Sequence, residues 1–175
     1  MSSDIRLTPT SYIVLGLLQA AGEATPYDLK QVVAMGLGDF WSIPHAQLYT
    51  EPERLVEAGC LSMQREQGGR RRKHYKITAE GRKALQEWLA EPTSEMAELR
   101  DPGLLKLFFG ADPKSLAEAQ LPAHQGRLAR YEEVQKASEL AGDEVPLGMR
   151  LSLEAGIAFE REFLRFWGRL AQADS

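Results

Sequence analysis

Four consecutive basic residues, Arg70 to Lys73, directly follow the glycine pair Gly68-Gly69. Cationic side chains this close together could neutralise a polyanion such as the phosphate backbone of a nucleic acid. The charge is local, because the segment from Cys60 to Lys83 has eight basic and two acidic residues, whereas the whole chain carries a formal charge of −4. Such a run can also be a solvated loop or a localisation signal, so its meaning depends on the elements that carry it.

Two capped helices are predicted at the start of the chain. In TPTSYIVLGLLQAAG, Thr8 is a good N-cap, proline follows at the first helical position, and Gly22 can end the helix. In TPYDLKQVVAMGLG, Thr25 is the N-cap of a second helix. The side chains expected to face inward from this second helix are Leu29, Val32 and Val33.

A third helix is predicted over SIPHAQLYTEPERLVEAG, opening near Pro44 and closing at Gly59. Pro52 conflicts with that assignment, because a proline inside a helix removes a hydrogen-bond donor and crowds the preceding turn. We expect a kink at Pro52 or a helix that restarts around Thr50. The alternative is a helix boundary that differs from the one drawn here.

The hydrophobic period then changes to two residues, which is typical of strands. The stretches CLSMQREQ and RKHYKIT both alternate, with Leu61, Met63, Tyr75 and Ile77 at the apolar positions, and the glycine pair between them predicts a hairpin turn. A fourth helix follows in TAEGRKALQEWLAEP. Its expected N-cap is Thr78, and its expected inward stripe is Leu85, Trp88 and Leu89.

Three helices, a hairpin and a helix in this order predict a winged helix-turn-helix, in a chain that is mainly α with a small β-hairpin. In this class a helix enters the major groove of DNA, while a basic hairpin tip lies against the phosphates or the minor groove. Gln47 has an amide that could pair with adenine, and Ser42 with the free amides at the helix start suits a phosphate. The expected DNA-contacting residues are Ser42, His45, Gln47, Tyr49 and Thr50 of the third helix, and Arg70, Arg71, Arg72 and Lys73 of the hairpin. The alternatives are that Tyr49 packs on the hairpin and that His45 only caps the helix.

The second half of the chain predicts a short apolar helix, LLKLFF, that is buried on most sides, and then two longer helices. The first longer helix starts at Asp112-Pro113, and Pro122 is expected to bend or divide it. The last helix has two apolar stripes and therefore needs two partners, one of which is most simply the same helix of a second subunit. The expected dimer interface is Leu153, Ile157, Phe159, Phe163, Phe166, Trp167 and Leu170. The alternative is a monomer that buries both stripes.

Other chemistry finds little support in the sequence. Cys60 is the only cysteine, which excludes a disulfide within the chain, and it is expected to be a core residue rather than a redox sensor. The three histidines lack metal-ligand spacing, and no catalytic arrangement stands out, so we expect no metal, no cofactor and no enzyme activity. No apolar run is long enough for a membrane span, and no secretory signal is visible, so a cytoplasmic protein without membrane contact is expected.

Three stretches resemble the PadR family of bacterial transcriptional regulators: FWSIPHAQLYTEPERLVEAGCL, RRRKHYKITAEGRKALQEWLAEP, and LLKLFFG with its helical tail. The resemblance covers essentially the whole chain. It departs from the family at Thr50, where proline is common after QLY, and at Cys60, where an aliphatic residue is usual. The resemblance implies a winged-helix N-terminal domain, a helical C-terminal dimerisation domain, and repressor-type binding to operator DNA with Gln47 and Tyr49 against the operator.

Members of this family often release DNA when a small molecule, a phenolic acid in the best-known cases, binds between the two domains. The resemblance therefore implies an effector, whose pocket we expect to be lined by Trp88, Met96, Phe108, Phe109, Tyr131 and Trp167, although residues at such spacing are more often simply core. The expected domains are residues 1–92, which bind DNA, and residues 93–175, which dimerise and bind the effector. A different class of function stays open, namely a protein-interaction module whose basic hairpin contacts an acidic protein.

Overall fold

The computed structural model describes residues 5–34, 37–68, 71–141 and 145–172. The chain divides into two compact units, Met1–Glu95 and Met96–Ser175. The first unit contains α1 (Pro9–Ala21), α2 (Pro26–Ala34), a short 3-10 turn (Leu37–Asp39), α3 (Gln47–Glu57), β1 (Leu61–Arg65), β2 (Lys73–Ile77) and α4 (Ala79–Ala90). The second contains α5 (Pro102–Phe108), α6 (Pro113–Ala141) and α7 (Leu147–Gln172).

The predicted starts of α1 and α2 are confirmed. Thr8 forms a capping box with Ser11, and Gly22 ends α1 with a φ of 75°. Thr25 and Asp28 form the equivalent reciprocal bonds at the start of α2, where the Thr25 amide donates to Asp28 over 2.9 Å and the Asp28 amide donates back over 3.3 Å. These caps satisfy amides that an α-helix leaves without internal partners.

The third helix is continuous through Pro52. It begins at Gln47, so both the start near Pro44 and the restart around Thr50 are wrong. Pro52 is the sixth residue of the helix and removes only the hydrogen bond to the Leu48 carbonyl. Its ring is fully buried, and that burial offsets the missing bond.

The two strands form the predicted antiparallel hairpin, in which Leu61 lies opposite Ile77 and Arg65 lies opposite Lys73. A short bridge between Ala24 and Tyr75, with backbone hydrogen bonds of 2.9 and 3.2 Å, attaches β2 to the turn after α1. The base of the hairpin is therefore fixed to the helical core.

The core of the first unit combines side chains from α1, α2, α3 and α4 with side chains from both strands. It comprises Val14, Leu15, Leu18, Ala24, Leu29, Val33, Ile43, Leu48, Leu55, Cys60, Leu61, Tyr75, Ile77 and Leu85. Three residues expected to face inward are exposed instead, namely Val32, Trp88 and Leu89. Met63, at an apolar position of β1, is also exposed, because only Leu61 of that strand is buried. Trp88 stacks on Tyr12 with ring centroids 4.6 Å apart.

In the second unit, α5 is not buried on most sides as expected. Leu105 is 60% exposed, Phe108 83% and Phe109 78%, because little of the described chain covers this short helix. The Asp112 side chain accepts from the Ser115 amide over 2.7 Å at the predicted start of α6, and Pro122 does not divide that helix.

Helices α6 and α7 form an antiparallel pair, since His124 early in α6 contacts Glu160 late in α7 and Tyr131 lies against Gly156. The pair encloses a polar contact: His124 and Glu160 are both buried, and the His124 Nδ1 lies 2.6 Å from a Glu160 carboxylate oxygen. Arg127 donates to the other oxygen of Glu160 over 3.2 Å, so the buried carboxylate has partners on both sides. No helix within the described ranges combines the length and apolarity that crossing a bilayer requires.

Candidate nucleic-acid interface

Helix α3 and the basic hairpin border one groove. Tyr49 of α3, Arg72 and Lys73 of the hairpin, and residues 25–28 at the start of α2 line this groove, whose volume is about 420 Å³. The Tyr49 side chain is 47% exposed, so it borders the groove without being covered by the hairpin. The start of α3 and the basic hairpin therefore lie on the same side of the first unit.

The hairpin turn is built to present arginines to solvent. The Glu66 amide donates to the Arg72 carbonyl over 3.1 Å and the Arg71 amide donates to the Gly68 carbonyl over 3.4 Å. Gly68 has a φ of 118° and Arg71 a φ of 47°, positive values that residues in turns often adopt. Arg71 and Arg72 are exposed. Arg70 lies outside the described residues.

Lys73 differs from the two described arginines, because it is partly buried and its ammonium group forms an ion pair with Glu53 of α3. Its charge is already balanced within the protein, so a phosphate would have to compete with Glu53 for it. The pair also joins β2 to α3 directly.

The expected base-reading residues are exposed at the start of α3. Ser42, His45, Gln47 and Thr50 all reach solvent. The Gln47 Oε1 accepts from the Thr10 hydroxyl of α1 over 3.0 Å. The Thr50 hydroxyl donates to the Ala46 carbonyl over 3.3 Å.

The amides at the start of α3, which were expected to be free to bind a phosphate, are already hydrogen-bonded. The amides of Gln47, Leu48 and Tyr49 donate to the carbonyls of residues 44, 45 and 46 over 2.9, 3.2 and 3.1 Å. The backbone already winds into a tight turn before the helix, so these amides are not free to bind a phosphate.

The start of α2 belongs to the same groove and was not singled out from the sequence. Pro26 and the exposed Tyr27 face it together with the Thr25–Asp28 capping box. Hydrogen bonds from Thr25, with smaller effects of the His74 and Arg72 charges, hold the pKa of Asp28 below its ordinary value. The TPYD cap was visible in the sequence, but its place beside the hairpin depends on tertiary packing.

A buried polar network fixes α3 against α1. Ser11 is fully buried and donates to the Glu51 carboxylate over 2.5 Å, while Arg54 donates to the same carboxylate over 2.6 and 2.9 Å and to the Ser11 oxygen over 2.8 Å. Burial alone would raise the pKa of Glu51, but the hydrogen bonds from Arg54 and Ser11 and the charge of Arg54 outweigh it, so that the pKa is lowered. The network therefore holds a negative charge inside the first unit and sets the angle between the two helices.

Acidic residues offset part of the positive charge of the hairpin strands. His74 lies 3.2 Å from Glu23 and 3.0 Å from Glu66, and the Lys76 ammonium lies 3.8 Å from Glu23. The hydrogen bond with His74 is the main cause that lowers the pKa of the exposed Glu66. Part of the positive charge of the hairpin is therefore balanced within the protein.

The residues expected at a dimer interface divide into two groups. Ile157 and Trp167 are buried within a single chain, so they are core residues and the expectation that they contact a partner is wrong. Phe159 is 47% exposed and stacks on Phe163 with ring centroids 4.7 Å apart. Leu153, Phe163, Phe166 and Leu170 are partly exposed.

The residues expected to line an effector pocket fall in both units. Trp88 belongs to the first, and the other five belong to the second. Met96, Phe108 and Phe109 are strongly exposed, Tyr131 is partly buried, and Trp167 is fully buried. The indole N–H of Trp167 has no hydrogen-bond acceptor within the described part of the chain.

The remaining reactive groups have structural surroundings. Burial raises the pKa of the Cys60 thiol, with a further contribution from the charge of Glu80, and the side chain belongs to the core. Across the described ranges, no three His, Cys, Asp or Glu side chains are close enough together to hold a metal ion.

The three-helix core with its attached basic hairpin defines a winged helix-turn-helix protein. Two family models match the chain: "Transcriptional regulator PadR-like family" over residues 14–87 and "Virulence activator alpha C-term" over residues 99–173. The negative transcriptional regulator PadR of Bacillus subtilis (strain 168) is 29% identical over 139 residues, which cover 73% of this chain and 76% of that protein.

Two solved structures of Bacillus subtilis PadR share the fold over nearly the whole length. The complex with operator DNA has a TM-score of 0.80 at 24% identity, covering 97% of this chain and 100% of that one. The complex with p-coumaric acid has a TM-score of 0.72 at 22% identity, covering 95% and 97%. Residues 14–87 of the chain form a domain that matches the PadR-like family of transcriptional regulators, and the relative identified by sequence is itself a transcriptional regulator.

Proposed function

We propose that this chain is a dimeric repressor that binds a pseudo-palindromic DNA operator through α3 and the basic hairpin of each subunit. The observation that carries the proposal is the groove shared by Tyr49 of α3 and by Arg72 and Lys73 of the hairpin. A duplex whose major groove receives the start of α3 would have its phosphate backbone within reach of the hairpin. The relative from Bacillus subtilis described as a negative regulator, and its complex with operator DNA, support this assignment.

The start of α3 and the basic hairpin have different roles in the proposed DNA contact. The exposed side chains at the start of α3, Gln47 and Tyr49 above all, read base edges, whereas Arg71 and Arg72 neutralise phosphates. Arg70 is assigned to the same role from its place in the basic run. Ser42, His45 and Thr50 border the reading surface, and Lys73 contributes less because Glu53 competes for it.

Dimerisation places two copies of this face on one duplex. The partly exposed stripe of Phe159, Phe163, Phe166 and Leu170 on α7 supplies the apolar surface for a second subunit. Two α3 helices roughly 34 Å apart would meet successive turns of the major groove on one side of the duplex. A two-fold symmetric protein then reads a two-fold symmetric operator.

A small aromatic acid is the effector that fits the second unit. The Trp167 indole N–H is buried without an acceptor among the described residues, so a carboxylate or phenolate oxygen that reached it would satisfy a costly group. Met96, Phe108, Phe109 and Tyr131 are the other residues of the second unit that are assigned to this pocket. The complex of a family member with p-coumaric acid supports an effector of this chemical class. Tryptophan fluorescence during titration with p-coumaric acid tests it, and an unchanged spectrum together with unchanged DNA affinity contradicts it.

The test of the main proposal is binding to a duplex from the region upstream of the protein's own gene, measured by fluorescence anisotropy over a range of salt concentrations. Arg72→Ala should weaken binding to specific and scrambled duplexes alike and lower the slope of log K against log salt by about one unit. Gln47→Ala should instead reduce the preference for the specific duplex. Identical behaviour of the two variants contradicts the division of roles, and no difference between specific and scrambled duplexes contradicts operator binding.

A further inference from the structure

The carboxamide of Gln47 is already engaged on one side. The Thr10 hydroxyl at the start of α1 donates to Gln47 Oε1 over 3.0 Å. Both residues lie where their helices begin, since Thr10 is the second residue of α1 and Gln47 the first of α3. A contact from α1 therefore reaches the side chain that the proposed function assigns to base reading.

This contact is supported by a buried one directly beside it. Ser11, the next residue of α1, donates over 2.5 Å to Glu51, which lies one helical turn after Gln47 on the same side of α3. The Ser11 oxygen also accepts from the Thr8 amide over 2.8 Å, which fixes the first turn of α1. The Thr10 hydroxyl consequently has a set position relative to α3.

The hydrogen bond from Thr10 to Gln47 Oε1 determines which group of Gln47 is available to DNA. A glutamine side chain has a carbonyl oxygen that accepts and an NH₂ group that donates, on two branches of one planar group. With the oxygen directed at α1, the NH₂ branch points away from α1 and is available to a ligand. Bidentate pairing with adenine needs both branches, because adenine presents a donor at N6 and an acceptor at N7.

We propose that Thr10 acts as a specificity-determining residue by making Gln47 a donor-only reader, which selects keto bases over amino bases. Guanine O6 and thymine O4 accept hydrogen bonds in the major groove, whereas adenine N6 and cytosine N4 donate. An NH₂ group therefore meets an acceptor on guanine or thymine. On adenine it meets one acceptor, N7, beside a donor at N6, and on cytosine it meets only a donor. The inference rests on the proposed function, since it concerns a residue that must face base edges.

The experiment is selection of duplexes from a randomised pool, followed by sequencing, with wild type, Gln47→Ala and Thr10→Val. Wild type should show, at one position of each half-site, guanine or thymine enriched about tenfold over cytosine, with adenine between them. Gln47→Ala should lose the preference at that position only. Thr10→Val has the shape of threonine without the donor, so it should release the Gln47 oxygen for bidentate pairing and make adenine the preferred base there.

Two further variants separate this effect from a structural one. Thr10→Ser keeps the hydroxyl and should keep the wild-type preference. Gln47→Glu replaces the donor with an acceptor and should move the preference to cytosine and adenine, whose N4 and N6 groups donate. Thermal unfolding of each variant shows whether its fold is intact.

The outcomes distinguish the inference from the function on which it rests. If Gln47→Ala changes one position but Thr10→Val keeps the keto preference there, the inference is wrong and DNA reading by Gln47 stands. If Gln47→Ala changes no position of an enriched operator, both the inference and the reading role of Gln47 are wrong. If wild type enriches no sequence at all, the proposed function fails and the inference with it.

Discussion

Glu53 of α3 and Lys73 of β2 form an ion pair that joins the two elements assigned to DNA binding. Because Glu53 neutralises Lys73, that residue of the four-residue basic run is less available to a phosphate. Among the described residues of the run, Arg71 and Arg72 are the exposed cations. The basic run is therefore not a uniform patch, and its members should differ when they are tested one at a time.

Glu53→Gln should strengthen binding to any duplex and steepen the salt dependence, because it releases Lys73 and removes a negative charge from the face. The change in slope should approach the roughly 0.9 units that one added phosphate contact gives. Lys73→Ala should accordingly reduce binding less than Arg72→Ala does. Salt-titrated anisotropy measures all three. Glu57→Gln makes the same charge change at the exposed end of α3 and should have a smaller effect; equal effects of the two glutamate variants would count against this role of the ion pair.

Glu51 should make the first unit sensitive to acid. Its pKa is lower in the folded chain than in the unfolded one, so its contribution to the free energy of unfolding is complete above the unfolded pKa. That contribution is lost as the pH falls from the unfolded pKa through the lowered folded pKa. Glu51→Gln should cost about 1–3 kcal/mol at neutral pH, because Ser11 and Arg54 lose a charged acceptor. Urea unfolding at several pH values should show that the free energy of unfolding of this variant falls less steeply toward acid pH than that of wild type. An equally steep fall would contradict the role of Glu51.

Gly81 is required by a close backbone contact. A Cβ at this position would lie 2.2 Å from the Cys60 carbonyl oxygen, which itself accepts from the Thr78 amide over 3.0 Å. Gly81→Ala must therefore displace the start of α4 from the backbone that precedes β1, and we expect it to lower the free energy of unfolding by about 1–3 kcal/mol. Gly16→Ala is the control, since no atom lies within 4 Å of its added Cβ and alanine is the better helix former. Thermal unfolding of the two variants should move in opposite directions, and equal shifts would contradict the packing argument.

Phe159 should contribute to subunit association. Its exposed ring stacks on Phe163. Removing the ring therefore reduces the apolar area of the proposed interface without creating a cavity in the core of the α6–α7 pair. Phe159→Ala should weaken the dimer by roughly tenfold or more, the size expected of a central aromatic contact. Light scattering over a range of protein concentrations measures this. Glu154→Ala, on the same helix, should leave the dimer unchanged, and a wild-type protein that stays monomeric would contradict the proposed assembly.

The sequence predicted the features that depend on neighbouring residues. Thr8, Thr25 and Thr78 cap the helices where expected, because each cap joins residues three positions apart. The hairpin was equally local, since the alternation and the glycine pair determine it within about 17 residues.

Features that join distant segments were not predicted. The Ser11–Glu51–Arg54 network links residues about 40 positions apart, and the contact that requires Gly81 involves the carbonyl of Cys60. Nothing in the residue types gives these pairings, because many serines and glutamates of the chain could have formed others. The burial of Trp167 and Ile157 on their own chain is of the same kind, since two apolar stripes on one helix do not say which stripe the neighbouring helix covers.

The central claim is that α3 and the basic hairpin contact one duplex together. Hydrogen–deuterium exchange with and without a selected duplex tests it most directly, because it reports each segment separately. The account predicts slower exchange in peptides that cover the start of α3 and in peptides that cover β2 and the preceding turn, with Gln47→Ala and Arg72→Ala each reducing the protection. Protection of only one of the two segments, or of neither while the duplex is bound, would contradict the account.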